Sequence, residues 1–125
     1  MRVDFNNYNS NKQQTFGMSC EITDKAVLNL KSRFMTAKDT DRFEKVVKRF
    51  DDKGKLIKGT LDEVNGDLVA SIFSEGRYYE TKTESTFSRL FRGPISFLES
   101  WADRADKIEQ RILSDIKIEE IAGKH

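Results

Sequence analysis

Apolar residues fall at helical spacing toward both ends of this chain and in glycine-punctuated runs between them. Val27, Leu30 and Phe34 follow at i, i+3 and i+7, which places them on one face of a helix. Thr23 stands before that stripe as an N-cap, and Asp24 puts a negative charge at the positive end of the helix dipole. The spacing predicts a helix over about 23–35. A second stripe, Leu98, Trp101, Ala105, Ile108 and Ile112, follows Gly93-Pro94. Proline suits the first position of a helix because its missing N–H would be unpaired there anyway. This predicts a long helix over about 94–114, with Asp103 and Lys107 as an acid-first i, i+4 pair on its outside. The tail, with Ile116, Ile118 and Ile121, fits either a last helix or a short strand.

The middle of the chain has a different grammar. Gly54, Gly66 and Gly76 each precede a polar residue and two apolar or aromatic ones. Glycine supplies the positive φ that tight hairpin turns require, and strands at this spacing form a meander. Strands are expected near 42–50, 55–62, 67–74 and 77–83. The first has an alternative: Phe43, Val46, Val47 and Phe50 also fit a helix face, starting after Asp39 or Thr40. Residues 84–92, with Phe87, Leu90 and Phe91, read as one helical turn or an edge strand.

The expected fold class is therefore α+β. A small antiparallel β-meander of about four strands is covered by the 23–35 helix and the 94–114 helix. Residues 6–14 are almost wholly polar. Residues 1–20 are accordingly expected to form a polar, flexible N-terminal arm ahead of a single domain over 21–125; the alternative is an arm whose Phe5, Tyr8 and Phe16 dock on this domain, a sister subunit or a partner.

Composition narrows the picture. A chain of 125 residues suits one domain, and a 34% charged fraction beside 37% hydrophobic residues implies a compact core under a heavily charged surface. Lys plus Arg is 22 against 21 Asp plus Glu, a net charge of +1, which argues against a dedicated polyanion binder. The lone cysteine, Cys20, allows no intrachain disulfide. The first residues carry no apolar signal region, and no stretch approaches the roughly 20 apolar residues of a membrane span. The expected location is cytoplasmic, with no membrane partner.

No strong catalytic motif stands out. The single histidine is the terminal His125, a poor place to hold a general base. Cys20 has no histidine near it in sequence and reads as structural. Asp51-Asp52 and Asp62-Glu63 sit at turn signals, where acids are favoured without any metal. No glycine cluster resembles a phosphate-cradling loop. The chain is expected not to be an enzyme, and no catalytic, cofactor or metal residue is assigned.

Two surfaces remain. Arg42, Lys45, Lys48, Arg49, Lys53, Lys55 and Lys58 concentrate positive charge, and Arg77 with a tyrosine follows further on. Tyr78 and Tyr79 are adjacent, so in a strand one faces the core and the other faces out. Lys45, Lys48, Arg49, Arg77 and Tyr79 form the candidate nucleic-acid or anion contact. Phe87, Phe91, Leu98 and Trp101 form the candidate interface of a homodimer. The leading expectation is a non-catalytic protein-interaction protein: an adaptor, regulator or stoichiometric inhibitor of a larger complex. Nucleic-acid or nucleotide binding is the alternative.

Overall fold

The computed structural model of the chain describes residues 13–15, 19–33, 36–85 and 93–123. Phe5, Tyr8, Phe16, Phe34, Phe87, Leu90, Phe91 and His125, all singled out from the sequence, lie outside the described residues. The elements run in the order β1 (Gln13–Thr15), β2 (Cys20–Thr23), α1 (Asp24–Arg33), α2 (Ala37–Asp51), β3 (Lys58–Val64), β4 (Asp67–Ser74), β5 (Tyr78–Thr83) and α3 (Gly93–Ala122). The fold is α+β, as expected.

The strand expected over 42–50 is a helix. Thr36 caps it, its hydroxyl accepting from the Asp39 amide at 3.3 Å, and Phe43, Val46, Val47 and Phe50 are all buried. The physical reason is face segregation. In a strand, Phe43, Lys45, Val47 and Arg49 would share one face and mix charge with apolar surface. A helix puts the four apolar residues on one stripe and the cations elsewhere. Thr23 caps α1 as expected, accepting from the Ala26 amide at 3.3 Å. Val27 and Leu30 are fully buried.

The sheet is mixed, not a purely antiparallel meander. Its strand order is β1-β2-β3-β4-β5. β3, β4 and β5 are the expected antiparallel series, with Gly59 opposite Ile72 and Phe73 opposite Tyr79. β2 runs parallel to β3, with Cys20 beside Gly59 and Ile22 beside Leu61. Parallel neighbours need a crossover, and the α1–α2 pair supplies it. β1, within the expected N-terminal arm, pairs antiparallel with β2. At the β3–β4 turn, Asn65 (φ 54°) and Gly66 (φ 87°) both adopt the left-handed backbone of a two-residue hairpin turn.

Strand alternation builds one core. In β4, Leu68, Ala70, Ile72 and Ser74 point inward and are buried, while Val69, Ser71 and Phe73 are half-buried on the other face. Leu61, Ile22 and Cys20 join the inward set beneath α1, α2 and α3. In α3 the expected stripe of Leu98, Trp101, Ala105, Ile108 and Ile112 is buried. The helix continues past residue 114 to Ala122, which settles the tail as helical. Its last turns outgrow the core, so Ile118 and Ile121 are exposed, at 61% and 60%. Asp103 does not serve Lys107. It accepts instead from Arg49 on α2 at 2.7 Å, because the α2–α3 seam offers a nearer cation. Among the described residues no helix is long and apolar enough to cross a membrane.

Candidate functional site

Strand β5 is the last strand in the sheet, and among the described residues none lies beyond it. An edge strand turns half of its backbone N–H and C=O groups outward, unused by its own sheet. Beneath that edge, between β5 and α3, opens a groove of about 390 Å³. Its floor is apolar, formed by Ala70, Ile72, Phe97 and Trp101. Its walls are charged: Glu80 and Lys82 from β5, and Asp103, Arg104 and Lys107 from α3. A second hollow, of about 330 Å³, is lined by Arg77 and Tyr78 and by Arg111 and Asp115 of α3.

The local sequence explains this layout. β5 alternates, so Tyr78, Glu80 and Lys82 face the helix side while Tyr79, Thr81 and Thr83 face out. On α3, Arg104, Lys107 and Arg111 recur at i, i+3 and i+7, flanking the buried stripe on the side toward β5. One cation is committed to holding the groove together. Arg104 donates through Nε to Glu80 at 3.0 Å and through Nη2 to the Tyr78 hydroxyl at 3.2 Å. The hydrogen bond from Arg104 holds the Glu80 carboxyl below its ordinary value despite partial burial, and that same bond raises Arg104. At the far end Arg77 donates to Glu119 at 3.0 Å, lowering that carboxyl. With Asp103 engaged by Arg49, Lys107 and Arg111 make no ion pair with any described residue, and Lys82 acts on Glu80 only at longer range, adding to the lowering of that carboxyl. The groove thus carries an apolar floor, a sheet edge with no neighbouring strand among the described residues, and two cations outside any described ion pair, Lys82 and Lys107, with Arg111 in the adjoining hollow.

The residues proposed from sequence as a nucleic-acid contact do not form one surface. Lys45 and Lys48 are exposed on α2, and Lys48 lies 3.5 Å from Asp52. Arg49 is bound to Asp103 and Asp106 on α3. Arg77 is held by Glu119. Tyr79 stands on the opposite face of the sheet, over which none of the described helices lies, 70% exposed, while Tyr78 packs against the core. The Tyr79 hydroxyl accepts from Thr81 at 2.8 Å, which lowers its pKa. Of the proposed dimer residues, Leu98 is fully buried within the chain, and Trp101 is 4% exposed, on the groove floor.

Sequence reasoning missed Lys82, Arg104, Lys107 and Arg111 as a set. The 104/107/111 spacing was a visible signal, but a cationic helix flank is ordinary until its neighbour is known. Cys20 is fully buried, and its thiol is pushed up to about 12 by burial, with Glu21 and Asp51 adding to the rise. A thiol held protonated is a poor nucleophile. Among the described residues no three His, Cys, Asp or Glu side chains converge as metal ligands. The chain matches no family model, and no curated protein or solved structure is detectably similar to it.

Proposed function

We propose that this chain is a non-catalytic protein-binding protein, an adaptor, regulator or stoichiometric inhibitor of a larger complex, that meets its partner at the β5–α3 groove. The carrying observation is the coincidence of an apolar floor, a strand edge with no neighbour among the described residues, and Lys82 and Lys107, with Arg111 in the adjoining hollow, none of the three in an ion pair with a described residue. Protein interfaces join a desolvated apolar centre to a polar rim, and charge complementarity guides encounter. The two acids of the groove are both taken up in ion pairs, Glu80 with Arg104 and Asp103 with Arg49. The lone cysteine, free and buried, fits a cytoplasmic setting.

Selection of displayed random peptides on the folded protein tests this reading. Acid-rich sequences should be enriched and should be lost from the triple variant Lys82→Glu, Lys107→Glu, Arg111→Glu. Enrichment that ignores the triple variant would remove the groove from the proposal. Nucleic-acid binding is the competing result. It would appear as tight binding of a random oligonucleotide with a steep dependence on salt.

A further inference from the structure

We infer that the partner is an extended, acid-bearing peptide segment that joins the sheet as an additional strand alongside β5. This rests on the protein-binding reading above and goes further by fixing the partner's backbone and chemistry. The first ground is the edge itself. Exposed edges are normally blunted by covering elements, prolines, bulges or charged side chains, lysine above all. β5 runs as a regular six-residue ladder from Tyr78 to Thr83, with every residue in register against β4. It contains no proline. Lys82 is the edge lysine, and a lysine that repels a neutral or basic strand attracts an acidic one.

The second ground is independent and comes from α3. A strand added beyond β5 alternates its side chains like any other. Those on the helix side come to lie against the flank of α3 that carries Lys107 and Arg111, beside Lys82. Three cations facing one row of side chains select carboxylates there. Those on the outer side come to lie beside Tyr79, Thr81 and Thr83, of which Tyr79 is 70% exposed. Aromatic and β-branched residues pair well across strands, so valine, isoleucine or an aromatic residue is selected in that row. The occupant is therefore a segment that alternates acidic with β-branched residues. Backbone pairing provides affinity in strand addition, and the alternate side chains provide specificity.

The test uses a fluorescein-labelled peptide of about ten residues alternating glutamate with valine, read by anisotropy on the full chain. Two companions accompany it: a lysine–valine peptide, and the glutamate–valine peptide N-methylated at alternate backbone nitrogens, made in both registers. The parent should bind, the lysine peptide should not, and one methylated register should bind about tenfold more weakly or worse. Bound peptide should also slow amide exchange in Tyr78–Thr83. Lys82→Glu with Lys107→Glu should weaken binding by about tenfold with unchanged circular dichroism. Equal binding of both methylated registers would overturn strand addition while leaving a side-chain-mediated protein site standing. Displayed peptides that bind the groove while the glutamate–valine peptide does not would likewise overturn this inference alone. Preference for an oligonucleotide over every peptide would overturn both readings.

Discussion

A Cβ built on Gly59 would lie 2.6 Å from Trp101 Cζ2 and 2.6 Å from Phe50 Cε1. The two rings sit 4.3 Å apart between centroids and close over the β3 backbone at the one position without a side chain. Gly59 is paired on both sides, with Cys20 and with Ile72, so the strand cannot readily back away. Gly59→Ala must displace an aromatic ring anchored in α2 or α3. Overpacking of this kind costs about 1–3 kcal/mol. Chemical denaturation should show a lower midpoint for Gly59→Ala with little change in slope. An unchanged midpoint would mean that the α2–α3 pair can lift from the sheet freely.

Trp101 is the only tryptophan, so it reports on this contact directly. It is 4% exposed, and its indole N–H donates to the Ser71 carbonyl at 3.0 Å. Its emission should be blue-shifted and poorly quenched by acrylamide in the folded protein. Trp101→Ala removes the ring and leaves a cavity, a loss of about 3–5 kcal/mol. Solvent-like emission would contradict the buried placement.

Much of this interior was legible before any coordinates. β4 falls at 67–74 as the pattern opening at Gly66 indicated, and the α3 stripe from Leu98 to Ile112 is the buried one. One tyrosine of the pair faces the core and the other faces out. The signal was weaker where a segment satisfied two periods. Phe43 to Phe50 fits a helix, yet its β-branched and aromatic content also suits a strand, and neighbouring glycines favoured a meander. β2 has only four residues, and its parallel partnership with β3 depends on a crossover that spans both helices. Long-range pairing of this kind leaves no local trace. The groove was hidden for the same reason, since the cations of α3 gain meaning only beside the edge of β5.

Arg33 and Glu84 join the last turn of α1 to the end of β5. Arg33 donates to both carboxylate oxygens, at 2.7 and 2.9 Å, and the Glu84 side chain is fully buried. Arg33 also donates to Asn29 Oδ1, and the Asn29 amide donates to Glu63 and to the Gly66 carbonyl. Glu84→Ala strands a largely buried guanidinium, which should cost about 3–5 kcal/mol. The double variant Arg33→Leu, Glu84→Leu removes both charges and should be markedly more stable than Glu84→Ala. Thermal unfolding of the three proteins decides it. A double variant no better than the single would show that the hydrogen-bond network, rather than the unpaired charge, carries the loss.

Cys20 makes the pH dependence of stability predictable at the alkaline end. Its thiol is pushed from 9.0 to about 12, by burial first and by the nearby charges of Glu21 and Asp51 second. The folded state therefore binds this proton more tightly than the unfolded state. Its contribution is fully present below the unfolded value, near 9, and is lost as pH rises toward the folded value. Within that window the slope from one such group approaches about 1.4 kcal/mol per pH unit. Urea midpoints measured from pH 8 to pH 11 should fall for the wild type. Cys20→Ala, whatever its stability at pH 7, should fall less steeply over the same range, since other alkaline groups remain and only the thiol is gone. The same burial predicts that a thiol reagent reacts with Cys20 at the rate of unfolding, so labelling should accelerate with denaturant. Parallel pH profiles together with immediate labelling of the native protein would place the thiol at the surface, and β2 would then have to sit away from the core.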